Sequence, residues 1–216
     1  MGIVSDRINQ FSKSSAVNSG MTWGDVGAIL VSGRPVRNAF LEPQMVCLPA
    51  KTKLYKFNTY AGLLPDSRGH VTGWWSPYDA YDVDPGWNIK RNMARTLGVS
   101  IREWGRVTSA ITEGWNSAEY LVVITLKVHI WAAYGRFKHQ PRGEVHSQDS
   151  KRITHATVGK AQFEPGKGET ALPYRHIRPE GRGRTLNLPG GGRQFFVPNL
   201  KPEYYTGLRS QSLLHM

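Results

Sequence analysis

The chain has 216 residues, 28 Lys and Arg against 16 Asp and Glu, and a formal net charge of +12, so it is long enough for one domain with a real core and carries a strong cationic excess. That excess points to an acidic partner: nucleic acid, an anionic cofactor, an acidic protein or an anionic membrane surface. A single cysteine excludes an internal disulfide framework and a multi-thiolate zinc site, and no apolar run reaches the roughly 20 residues that cross a bilayer, so no membrane span is expected.

Residues 1–20, MGIVSDRINQFSKSSAVNSG, are polar and Ser-rich and read as an N-terminal tail without the apolar core of a secretory signal. Asp6 stands where the N-myristoylation pattern wants Ser or Thr, so Gly2 is not read as a lipid site. From Met21 onward aromatic and β-branched residues are dense, which predicts a single α+β domain over 21–216. Within it GAILVSG and TKLYKFN, each bounded by turn residues, predict strands. Cys47, in the apolar run MVCLPA, reads as a small buried hydrophobe. The second strand sets Lys56 between Tyr55 and Phe57, and a turn-rich stretch separates it from Trp74, Trp75 and Ser76.

The stretch GWNIKRNMARTLGVSIREWGRVTSAITEG predicts a helix pair. Ser100 and Glu103 form a capping box, Ile101, Trp104, Val107 and Ile111 make one apolar stripe, and Gly114 is the stop. The stripe should bury Trp104 and Ile111, with Arg102 and Arg106 facing outward. Next, Tyr120 to about Trp131 predicts one long buried strand, with Leu126, Val128 and Ile130 on one face and Lys127 and His129 on the other.

Residues 138–192 are basic and punctuated by Gly and Pro, which predicts loops and short hairpins. His139, His146, His155 and His176 lack the close pairing of a metal site, so no metal is expected. The run RPEGRGR resembles an RNA-contacting Arg-Gly segment. In GGGRQFFVP the glycines permit a close backbone approach and Gln194 opens an apolar strand. A P-loop reading fails for want of its lysine and Ser/Thr context.

Taken in order, LYKF, GWWSP, the capped helix and GGGRQFFVP resemble the layout of ADP-ribosyltransferase-like toxin domains. The resemblance implies an α+β fold with a split mixed or antiparallel sheet, flanking helices and long Gly/Pro-rich basic loops. It also implies NAD as substrate. Lys56 would take the place of the first-strand Arg or His that holds the NAD ribose or phosphate, Ser76 that of the Ser orienting the nicotinamide half, and Gln194 that of the late residue binding a ribose hydroxyl. Trp75 or Tyr78 would stack on the nicotinamide, with Tyr55 beside them. A toxin of this kind implies delivery by a specialised secretion system into a target-cell cytoplasm and a cognate immunity protein as partner. Two departures stand out: lysine offers a point charge rather than the planar fork of arginine, and Gln194 lacks a negative charge. Spacing does not choose among Glu113, Glu119, Glu144, Glu164 and Glu169 as an alternative acid.

Two other readings fit the same residues. A ribonuclease or RNA-binding toxin would use His129, His155 or His176 as acid or base with Lys and Arg on the phosphate. A non-catalytic adaptor would wrap a partner with its basic region. Residue by residue there is also a reading without a ligand, in which Lys56 is a surface lysine on an edge strand and Gln194 a cap on the glycine turn.

Overall fold

The computed structural model describes residues 8–109, 111, 116–138, 140–141, 168–170, 185–188 and 191–213. The stretch read as a tail is docked from Ile8 onward. Asn9 caps helix α1 (Gln10–Ser14) by accepting from the Ser12 amide, and Val17 bridges Ile130. The Asn18 carboxamide then donates to the Trp131 and Pro198 carbonyls at 3.2 and 2.7 Å, which ties the segment to two later parts of the chain.

GAILVSG is not one strand. Thr22 and Asp25 close a reciprocal capping box, and the helix they start, α2 (Trp23–Ala28), takes the first two residues of that sequence. Only Leu30–Val31 is extended, as β1, pairing with β2 (Arg34–Pro35) across Ser32 and Gly33. Both turn residues have positive φ, 50° and 78°, as a tight two-residue hairpin turn requires. A turn of 3-10 helix, Val36–Asn38, follows.

The next elements are β3 (Phe40–Leu48), β4 (Lys53–Asn58), β5 (Trp74–Pro77), helices α3 (Trp87–Thr96) and α4 (Ile101–Ser109), β6 (Tyr120–Leu126) and β7 (Ile130–Phe137). Of the predicted loop region, the described residues form β8 (Gln140–Pro141), β9 (Gly168–Thr170) and β10 (Thr185–Leu188), a small sheet in which β9 and β10 run parallel. The remaining residues of 139–190 lie outside the described part. After them come β11 (Arg193–Phe196) and β12 (Tyr205–Ser212). The main sheet is antiparallel with order β12-β6-β4-β5-β11-β7-β3, so the fold is α+β.

The predicted strand through Tyr120–Trp131 breaks at Lys127–His129, and the break shapes the sheet. β6 and β7 are not neighbours but lie four strand spacings apart, about 19 Å in a flat sheet. Leu126 to Ile130 is only four Cα steps, a reach of about 14 Å. The sheet therefore curls until its two halves meet at that end. Between the halves sits the largest core cluster, with Leu48, Leu54, Trp75, Ile124, Ile130, Tyr134 and Phe195.

Strand alternation directs the other face of β4 toward the helices: Tyr55 and Phe57 pack with Trp87 and Ala94 of α3 and Ile101 of α4. The predicted helix pair is present. The Glu103 amide donates to Ser100 Oγ at 3.3 Å, while the Glu103 carboxylate lies 3.9 Å from Arg106 Nε. Trp104 and Ile111 are half-buried against this cluster rather than fully covered. Arg106 corrects the sequence reading: it is 2% exposed, and its guanidinium donates to the Ser117 and Ile111 carbonyls. Arg102 Nε donates to the same Ser117 carbonyl at 2.7 Å, so two arginines one turn apart fasten α4 to the segment that follows it.

Helix α4 approaches the sheet at Gly105, where an added Cβ would lie 2.4 Å from the Phe57 ring. Gly105→Ala gains about 1 kcal/mol of helix propensity but forces an overpacking that costs about 1–3 kcal/mol. The variant is expected to unfold at lower urea with an unchanged slope, and the loss should shrink in a Phe57→Leu background. Equal stability of Gly105→Ala and the parent would show that the contact is slack.

Candidate functional site

Strand β5 divides its four residues between two neighbours. Trp74 and Trp75 pair with Phe196 and Phe195 of β11, whereas Ser76 and Pro77 pair with Tyr55 and Leu54 of β4. Beyond Tyr55, the residues Lys56–Asn58 are paired with β6 alone. The two central strands thus part at Tyr55 and Ser76, and a cavity of about 330 Å³ lies where they separate. Lys56, Trp74, Trp75, Ser76 and Gln194 all line it. One wall comes from Ser109, Ile111 and Asn116 at and after the end of α4, the other from the β1–β2 hairpin and the 3-10 turn, including Arg34.

The antiparallel register carries Gln194 level with Ser76. Its position is fixed by the glycine run, because the Gly192 amide donates to the Thr108 carbonyl at 2.9 Å and an added Cβ would stand 2.7 Å from that oxygen. The close approach expected of these glycines is thus made against the last turn of α4. Gln194 is buried, and its carboxamide makes no hydrogen bond to another described residue.

The charged residues of the described lining are Lys56 and Arg34. Lys56 is half-buried, has no carboxylate partner among the described residues, and desolvation pushes its ammonium pKa down to about 8. Arg34, exposed on the hairpin, also lines the cavity, and no Asp, Glu or His is among the described lining residues. Among the described residues there is also no group of three His, Cys, Asp or Glu that could hold a metal.

The aromatic candidates separate. Trp75 lines the cavity but is 1% exposed, its indole N–H donating to the Thr72 carbonyl at 2.9 Å. Trp74 is more open and meets Phe137 edge-on, with ring centroids 5.2 Å apart. Tyr55 and Tyr78 do not line the cavity. Tyr55 is 1% exposed and packed at 5.0 Å against Trp87; burial, reinforced by the Asp84 carboxylate, pushes its pKa up. Tyr78 packs on Tyr55, with Lys53 Nζ 5.9 Å above its ring. Both tyrosines therefore back the site rather than face it.

Sequence reasoning missed Arg34 and Trp74. The Ser-Gly turn was the available signal for the hairpin that carries Arg34. The ribonuclease candidate His129 sits in the β6–β7 connection with its Nδ1 buried and unpartnered, away from the cavity. His155, His176, Glu113, Glu144, Glu164 and RPEGRGR lie outside the described residues, Glu169 lies on β9, and Glu119 does not line the cavity. Cys47 is buried and free, as expected. Among the described residues no helix is long and apolar enough to cross a membrane. No family model, curated protein or solved structure matches the chain.

The Lys56 environment fixes a pH dependence. Below about pH 8 both folded and unfolded Lys56 are charged and the full desolvation cost is present. Between there and the unfolded pKa of about 10.4 the unfolded state holds the extra proton, so this contribution to stability rises with pH. Lys56→Met is expected to be more stable than the parent at pH 7, with the difference fading by about pH 10. Urea titrations of both proteins at several pH values check this, and a constant difference would exclude Lys56 as its source.

Proposed function

We propose that the cavity binds NAD through its nicotinamide-ribose half and that the chain is an ADP-ribosyltransferase-like toxin or effector, which cleaves NAD and modifies a macromolecular target. The observation that supports this is the convergence of Lys56 and Ser76, from the consecutive strands β4 and β5, and Gln194, from the distant β11, on one cavity at the parting of the sheet. Its volume of about 330 Å³ is at the small end of ligand sites, about 300–1,000 Å³, which suits half a dinucleotide.

In this reading the Lys56 ammonium holds a phosphate or ribose oxygen, and its missing counter-charge is supplied by the ligand. Gln194 has a carbonyl that accepts from a ribose hydroxyl and an amide that donates to one. Ser76 orients the nicotinamide end. Trp74, more open than Trp75, is the stacking surface. The bond between ribose C1′ and the nicotinamide nitrogen breaks with its electron pair going to nicotinamide, and C1′ bonds to the acceptor nucleophile. Delivery by a specialised secretion system and a cognate immunity protein belong to the same proposal. A ribonuclease would need paired acid and base groups around a phosphate, and the described lining has neither imidazole nor carboxylate.

Released nicotinamide, measured with NAD and a cell extract as acceptor source, tests the proposal. Gln194→Ala is expected to lower the rate by about 100-fold with the melting temperature nearly unchanged, as for loss of one positioned transition-state hydrogen bond. Lys56→Met should weaken NAD binding by about 10–100-fold. Retained turnover in Gln194→Ala, alongside a lowered melting temperature, would make Gln194 a turn residue.

A further inference from the structure

One wall of the cavity is built differently from the rest of its described lining. Lys56, Trp74, Trp75, Ser76 and Gln194 belong to the main sheet, whereas the β1–β2 hairpin forms a two-stranded sheet of its own. An isolated hairpin with such short strands is marginally stable in water. No residue from 30 to 35 is buried: Leu30 is 65% exposed, the tip residues Ser32 and Gly33 are exposed, and Val31 is partly covered by the cluster of Val26, Val36 and Phe40. At Gly33 no described atom lies within 4 Å of where a Cβ would stand. The base is held firmly, because Val26 and Val36 are buried in that cluster and the Val36 amide donates to the Ile29 carbonyl at 2.9 Å. Local stability follows buried apolar contact, so a lightly packed hairpin on a fixed base moves more readily than the ladders behind it.

Resting on the proposed NAD reading, we infer that the β1–β2 hairpin is a lid, which swings about Ile29 and Val36 to close over the nicotinamide-ribose half of NAD and shield ribose C1′ from water. Val31 and Ser32 already line the cavity, so an inward movement of the tip brings them onto the ligand. Shielding matters because an ADP-ribosyl donor has a competing reaction. Water attack forms a C1′–O bond as the C1′–N bond breaks, nicotinamide leaves with the electron pair, the water gives a proton to solvent, and free ADP-ribose results. A closed hairpin suppresses that loss while the macromolecular acceptor is engaged.

The test is hydrogen exchange read by mass spectrometry on the full chain, with and without NAD, alongside equilibrium dialysis of NAD. In the free protein the amides of residues 30–34 are expected to exchange about 100-fold faster than those of β3, and saturating NAD is expected to slow them about tenfold with β3 unchanged. Gly33→Ala places a side chain at φ 78°, so the strain falls on the turn and on no described neighbour. That variant should melt near the parent temperature, bind NAD more weakly, and convert a larger share of cleaved NAD to free ADP-ribose when cell extract supplies the acceptor. Hairpin amides as slow as those of β3 without NAD, NAD bound with no change at 30–34, or a Gly33→Ala variant that binds and partitions NAD as the parent does would each overturn the lid and leave the transferase reading standing. Absence of NAD binding overturns both.

Discussion

Four residues of β5 serve two ladders, and the geometry of the molecule depends on that division. Trp74 and Trp75 belong to the half-sheet of β11, β7 and β3, while Ser76 and Pro77 belong to that of β4, β6 and β12. Proline has no amide hydrogen, so Pro77 withdraws a donor where the ladder toward β11 ends. The short β6–β7 connection bends the halves toward each other at one end, and the sheet parts at its centre. The cavity is a consequence of this pairing pattern rather than of a flexible loop.

Aromatic clusters brace both sides of the parting. Trp74 meets Phe40, Phe137 and Phe196 on one side, with centroids 5.4, 5.2 and 4.7 Å away. On the other, Tyr55 and Phe57 meet Trp87 at 5.0 and 6.0 Å. Behind Tyr55, Asp84 and Lys90 form a buried ion pair, and Asp84 Oδ1 also accepts from the Gly86 amide at 2.9 Å. Burial lowers the Lys90 pKa, but Asp84 opposes that shift. The contrast with Lys56 is informative: one lysine has its counter-ion built into the scaffold, the other has none among the described residues. An uncompensated cation is destabilising in an isolated domain and useful where an anion binds.

What was legible in the sequence was what local chemistry determines. TKLYKFN alternates and is bounded by turn residues, the helix pair has periodic apolar positions with Ser100 at its second cap, and the GGG run announces a close approach that Gly192 makes. The misreadings came from tertiary constraints with no local mark. Tyr120–Trp131 holds no Gly or Pro, so nothing in it signals the break at Lys127–His129, which the curling of the sheet imposes. GAIL looked extended because Ile29, Leu30 and Val31 are β-formers, yet the Thr22–Asp25 capping box starts a helix just before them. Arg106 looked like a solvent-facing residue until the Ser117 and Ile111 carbonyls gave its guanidinium partners. Of the described cavity lining, Lys56, Ser76 and Gln194 could be singled out from ordered motifs, whereas Arg34 could not, because only the hairpin fold brings it there.

The two departures noted in the sequence, a lysine on the first strand and an uncharged Gln194, act together. A carboxylate at position 194 would face the same cavity as Lys56, favour its charged form and raise its pKa toward the ordinary range. A neutral Gln194 leaves the Lys56 charge unopposed within the described lining, which is why burial alone determines the shift. In the proposed reading, a bound anion favours the ammonium as a carboxylate would, so ligand affinity and protonation are linked around pH 8. In the proposed reading, such a site selects for negative charge on its ligand before any contact specific to a base or sugar is made.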